Sequence, residues 1–149
     1  MKMPPKQKVY EAFSAIADGR VHLQEKQAEV QSSDRAKTYT VEWDDTVYRS
    51  NDNATYWAGY PGYPVLAVWM LQGKLPYDPE VIPVMADIPW KQLNEEYRRD
   101  YDAAAAEAMR RKQEQGADTA AVEKLAEQVY EALSGLNLSV KRGSKRPPK

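Results

Sequence analysis

Residues 65–71, Val-Leu-Ala-Val-Trp-Met-Leu, form the longest unbroken apolar run in the chain. Pro64 stands just before it and Gly73 just after it. Proline suits the first turn of a helix, where its missing amide would be unpaired anyway, and glycine past the last turn accepts the left-handed capping conformation. The spacing predicts a helix from Pro64 to about residue 72 with no polar side, and Leu75 supplies the hydrophobic contact that accompanies such a cap. A helix apolar all round belongs at the centre of a fold, so the remaining residues must wrap it on every face. Its seven residues fall far below the ~20 needed to cross a bilayer, which excludes this segment as a membrane span.

The wrapping elements are predicted from periodicity. Val9, Phe13 and Ile16, with Tyr10 and Ala17, recur at helical spacing and are followed by the stop signal Asp18-Gly19, giving a helix over 6–18. Glu11 interrupts what would otherwise imitate a secretory leader, so the segment is read as a folded helix. Val21 and Leu23 alternate as a short strand, and 31–34 reads as a loop. Tyr39, Val41 and Trp43 alternate with Thr38, Thr40 and Glu42, residue types that favour a pleated surface. Asp44-Asp45 breaks that strand and Thr46–Arg49 resumes it as a hairpin. Asn51, Asp52 and Asn53 are potential caps for a short helix beginning near Ala54.

Asp78-Pro79-Glu80 is predicted to start another short helix, limited by Pro83. From Pro89 onward, Trp90, Leu93, Tyr97, Tyr101, Ala104, Ala105 and Ala108 mark one face of a long helix over 89–115. Pairing of Glu95 with Arg99 accounts for the arginines on its other side. A second helix over 118–134, capped by Asp118 or Thr119, carries the stripe Val122, Leu125, Ala126, Val129, Ala132, Leu133. The short turn between them predicts an antiparallel pair that partly leaves the body. Residues 136–140 alternate as an edge strand. The fold class expected is α+β: a small antiparallel hairpin or meander packed against several helices and ending in the helix pair. At 149 residues the chain has room for one domain, placed at 1–140.

Twenty-one Lys and Arg against 22 Asp and Glu leave a net charge of −1, so no general field draws in polyanions. Residues 141–149 nevertheless hold five positive charges and no negative one. This tail is predicted to be disordered, with Lys141, Arg142, Lys145 and Arg146 able to contact phosphate. There is no cysteine, which excludes disulfides, thiolate metal sites and cysteine nucleophiles. The single histidine, His22, lies in a predicted strand with no nucleophile motif around it. Neither a phosphate loop nor a dinucleotide fingerprint occurs among the glycines. Asp44, Asp45 and Asp52 match no metal-binding loop and are assigned to a turn and a cap. No metal and no cofactor are therefore expected.

The unusual feature is aromatic density, since residues 39–69 hold eight of the fifteen aromatic residues. Trp43 and Trp69 are expected inside. Tyr56, Trp57, Tyr60 and Tyr63, set among glycine and proline, are the candidate partner-binding residues, because Tyr and Trp pair a large ring with a polar tip. The expectation is a small cytoplasmic protein that acts by binding a macromolecular partner, a protein first of all, and not by catalysis. Two alternatives stay open: an accessory nucleic-acid binder using tyrosine stacking and the basic tail, and an enzyme built on carboxylates and tyrosines. A deep pocket where Asp52 or Asp78 meets a tyrosine hydroxyl would mark the enzyme, and a shallow apolar patch the binder.

Overall fold

The computed structural model describes residues 1–149. Strands β1 (Val21–Leu23), β2 (Gln27–Gln31), β3 (Thr38–Asp44) and β4 (Val47–Ser50) form an antiparallel meander in chain order. A fifth strand, β5 (Ser139–Arg142), joins the free edge of β4 in parallel. Five α-helices complete the α+β fold: α1 (Gln7–Ala17), α2 (Tyr63–Leu71), α3 (Trp90–Glu96), α4 (Tyr101–Glu114) and α5 (Thr119–Ser134). A parallel neighbour requires a crossover; here the chain between β4 and β5 contains all the helices except α1.

The apolar helix sits where its composition requires. Val65 through Trp69 have no exposed surface, and α2 packs against α1 and the inner face of the sheet. Gly73 caps it at φ +76°, the Lys74 amide donates to the Trp69 carbonyl, and Leu75 is buried beyond. Ala28, Val30, Val41 and Tyr48 meet it from the sheet, alternate residues turned inward as a two-residue period dictates. Of the two tryptophans expected inside, Trp69 is fully buried, whereas Trp43 is half-buried and stacks on Tyr48 at 5.6 Å. The buried residues of α4 and α5, among them Ala104, Ala108, Val122 and Val129, belong to the same core.

Several expectations need correction. β2 has no counterpart in the sequence reading, because only Ala28 and Val30 of its five residues are apolar and its other three positions are Gln and Glu. Pro83 does not limit the helix begun at Asp78. Asp78 accepts from the Glu80 amide, and a 3₁₀ turn, Ile82–Met85, runs through Pro83 at its second position, where no donor is needed. The helix predicted over 89–115 is two helices. α3 stops at Glu96, Arg98 and Arg99 take left-handed conformations (φ 51° and 64°), and Asp100 then caps α4 by accepting from the Ala103 amide. Arg99 forms no ion pair with Glu95. The tail predicted to be disordered from 141 is held at its start: Lys141 and Arg142 lie in β5, the Gly143 amide donates to the Ser50 carbonyl, and Asn51 donates to the Arg146 carbonyl at 3.4 Å. The sheet edge, with its row of unpaired backbone groups, supplies the anchor that side-chain composition does not.

One buried polar chain ties the helices together. The Ser14 hydroxyl of α1 donates to the Met85 carbonyl at 2.6 Å and accepts from the Trp90 indole nitrogen of α3 at 2.9 Å. Ser14 is fully buried and Trp90 almost so, which fixes where α3 begins.

Candidate functional site

Between α1, the 32–37 turn, the aromatic segment 52–64 and the α3–α4 junction lies a cleft of about 960 Å³. Asp52 organises its aromatic wall. One carboxylate oxygen accepts from the Ser50 hydroxyl at 2.5 Å and the other from the Thr55 amide at 3.0 Å. Thr55 in turn accepts from the Gly62 amide at 3.0 Å. A β-carbon on Gly62 would stand 1.9 Å from the Asp52 carboxylate, so only glycine lets the 59–64 connector close over the cap. Gly59 ends the segment in the left-handed conformation (φ 78°).

The intervening residues, Ala54–Ala58, form a π turn, closed by the Gly59 amide donating to the Ala54 carbonyl. Such turns are rare and concentrate at functional sites. This one pushes Trp57 outward: its side chain is 63% exposed while lining the cleft. Tyr56 packs edge-on against it at 4.7 Å but does not line the cleft. Tyr60 and Tyr63 do line it, both half-buried. Tyr63 packs edge-on against Tyr39 at 6.3 Å and donates to the Gln31 carbonyl at 3.5 Å. The predicted aromatic quartet is thus divided, with Trp57 the outermost ring.

The cleft is richer in cations than the chain as a whole. Lys8, Arg20, Lys37, Lys91, Arg98 and Arg99 line it, against the acids Glu11, Asp52 and Glu95. Three of the six, Lys8, Arg20 and Lys91, are engaged by other side chains or carbonyls. Lys8 lies 3.1 Å from the Glu11 carboxylate and 4.4 Å from the Tyr101 ring centroid. Burial alone would lower the Lys8 pKa, but Glu11 and Tyr101 outweigh it and raise the pKa above the ordinary lysine value. Glu11 also accepts from Asn94, which accepts from Gln7. Arg20, 1% exposed, donates to the Gln31 carbonyl at 2.7 Å and to Asp18. Lys91 pairs with Asp34 at 3.2 Å. Arg98 and Arg99 join no ion pair.

Burial raises the pKa of the Tyr39, Tyr60 and Tyr63 phenols above the ordinary tyrosine value, in Tyr60 despite the opposing charge of Lys8. They remain neutral hydroxyls at physiological pH, able to donate as well as accept. No tyrosine hydroxyl donates to Asp52, whose oxygens serve the cap, and Asp78 lies outside the cleft. His22 is exposed on β1, also outside it. Asp44 and Asp45 sit at the β3–β4 turn and do not gather with Asp52 into a group of metal-binding side chains.

None of the four tail residues lines the cleft. Arg142 stands over the Tyr56 ring at 4.9 Å and the Trp57 ring at 5.7 Å, so its charge supports the aromatic wall from behind. Lys141, Lys145 and Arg146 are exposed. The sequence reading missed the cationic lining, which comes from segments far apart along the chain. The signal open to it was Asp100 followed by Ala103, a capping pattern that marks a helix start directly after the two arginines.

No helix is long and apolar enough to cross a membrane. No curated protein and no solved structure matches the chain. The match of residues 1–139 to the family described as "Uncharacterised conserved protein UCP014422", spanning nearly all of the domain and its cleft, places the chain in that family.

Proposed function

We propose that the protein acts by binding a macromolecular partner, part of which enters the cleft against the wall formed by Trp57, Tyr60 and Tyr63. The observation that carries this reading is Trp57: a tryptophan 63% exposed, in a chain whose other three tryptophans are buried or half-buried, on a π turn at the edge of a cleft. Tryptophan on a surface is a recurrent anchor in recognition, because its large rigid ring is ordered at small entropic cost. The concavity by itself also fits an enzyme. The buried acids of the cleft are committed to structure, however, with both Asp52 oxygens capping the turn and Glu11 held by Lys8 and Asn94. Ser32 donates to Asp34, and Ser33 accepts from the Lys91 amide. The lining therefore supports binding over bond-making. The aromatic composition fits a protein partner first of all and is also compatible with a stacked base; the cation excess favours a partner that presents anionic groups.

The test is site-specific photo-crosslinking in the source cells. A photoreactive residue replacing Trp57 is expected to label one discrete macromolecular species, and the same residue replacing His22 on β1 is not. Equal labelling from both positions refutes the reading. Trp57→Ala is expected to leave the thermal midpoint within a few degrees, as exposed positions usually do.

A further inference from the structure

We propose that the α3–α4 end of the cleft binds the phosphate of a nucleotide through the Arg98 and Arg99 guanidinium groups, with the base lodged against the Trp57 wall. The proposal rests on the cleft being a binding site. It starts from a conflict between backbone and side chain. α3 ends in a Schellman arrangement: the Arg99 amide donates to the Asn94 carbonyl at 2.8 Å and the Arg98 amide to the Glu95 carbonyl at 3.2 Å. That arrangement calls for a left-handed residue directly after the cap, and glycine usually fills the position. Here it is Arg98, followed by a second left-handed residue, Arg99. Bulky residues in this conformation are strained, and such strain clusters where side chains serve a ligand.

The left-handed turn closes the end of α3 through backbone bonds, but it gives neither arginine side chain an internal partner. Both arginines line the cleft and neither joins an ion pair, although the acid Glu95 lines the same cleft. Two adjacent forked donors, each with five N–H groups, suit a group that carries close to two negative charges and several acceptor oxygens. A phosphate monoester meets that description and a lone carboxylate does not. The planar part follows from Trp57 on another wall of the same cleft, since every base offers a face for stacking on an exposed indole. A volume of about 960 Å³ lies within the range of small-ligand sites. With a net charge of −1 the chain as a whole does not attract polyanions, so recognition must be local. A free nucleotide and the terminal nucleotide of a strand offer the same chemistry.

Calorimetric titration of the full chain at low salt tests this, using AMP, adenosine, a 5′-phosphorylated trinucleotide and a phosphoserine tripeptide. AMP and the trinucleotide are expected to bind, with adenosine and the phosphopeptide at least tenfold weaker. Tighter binding of AMP identifies a free nucleotide as the source, and tighter binding of the trinucleotide identifies a strand end. The double variant R98G/R99G is expected to weaken AMP at least tenfold while raising the thermal midpoint, because glycine relieves the left-handed strain. A residue with a merely structural role would not separate the two readouts in that direction. Trp57→Ala is expected to weaken AMP with the midpoint unchanged. Absence of AMP binding at millimolar concentration, undiminished binding in R98G/R99G, or equal binding of the phosphopeptide overturns the proposal. If any of these occurs while crosslinking at Trp57 still succeeds, the partner-binding reading survives without it; if crosslinking fails as well, both fall.

Discussion

Replacing Gly62 by alanine probes the joint on which the aromatic wall is built. The added methyl would stand 1.9 Å from an Asp52 carboxylate oxygen and 2.7 Å from the carboxyl carbon, so one of the two segments must move. Asp52 is 4% exposed, and shifting it breaks its bonds from Ser50 and Thr55. Forcing an extra carbon into a packed site costs about 1–3 kcal/mol. Losing hydrogen bonds to a buried charged group adds about 1.5–3 kcal/mol. In the other direction, φ −76° and ψ 173° are open to alanine, which stiffens the unfolded chain and restores roughly 0.4–1 kcal/mol. The net expectation is a loss of about 1.5–5.5 kcal/mol, a lowering of the thermal midpoint by roughly 5–18 °C for a chain of this size. Urea unfolding followed by circular dichroism should show a lower midpoint with an unchanged slope. Asp52→Ala removes the obstruction, so the double variant should be no less stable than Asp52→Ala alone. A Gly62→Ala protein as stable as the parent, or losses that add in the double variant, would refute the close-approach account.

Two further outcomes are expected. Ser14→Ala leaves the Trp90 indole N–H and the Met85 carbonyl unpaired in the core and should destabilise by about 1–3 kcal/mol in chemical denaturation. Asp34 titrates at about 2, held down first by the Ala36 amide and the Ser32 hydroxyl and then by Lys91. Its folded pKa lies below the unfolded value, so its contribution is complete above about pH 4 and fades as pH falls from there toward 2. The stability gap between the parent and Asp34→Asn should therefore be constant near neutrality and narrow across that window.

Legibility of the fold followed the strength of local patterning. α2 could be read because its apolar run is bounded by Pro64 and Gly73, and β3 because Tyr39, Val41 and Trp43 alternate cleanly. β2 was invisible because two small apolar residues among Gln and Glu carry no periodic signal; the strand exists because β3 pairs along its whole length. The α3–α4 break stayed hidden for the opposite reason. Trp90, Leu93, Tyr97, Tyr101 and Ala104 keep helical phase straight through it, and arginine is not among the residues that announce a left-handed stop. In the site, capping by Asp52 was legible locally; which of the four candidate rings would lie outermost was not, because that is set by the π turn. The cationic lining was not, because Lys8, Lys37, Lys91 and Arg98 converge only through tertiary packing and the near-neutral total charge conceals their concentration.

The parallel pairing of β5 with β4 also orders events in time. Ser139 meets Val47 across about ninety residues of chain, so during synthesis the first four strands can assemble well before their last neighbour leaves the ribosome. Until then the flank of β4 stays open to any extended peptide nearby, and the rings of Tyr56 and Trp57 wait without the guanidinium that will back them. A nascent chain stalled before Ser139 would thus display a ready pairing edge beside a bare aromatic patch, the combination that chaperones and aggregates both seize.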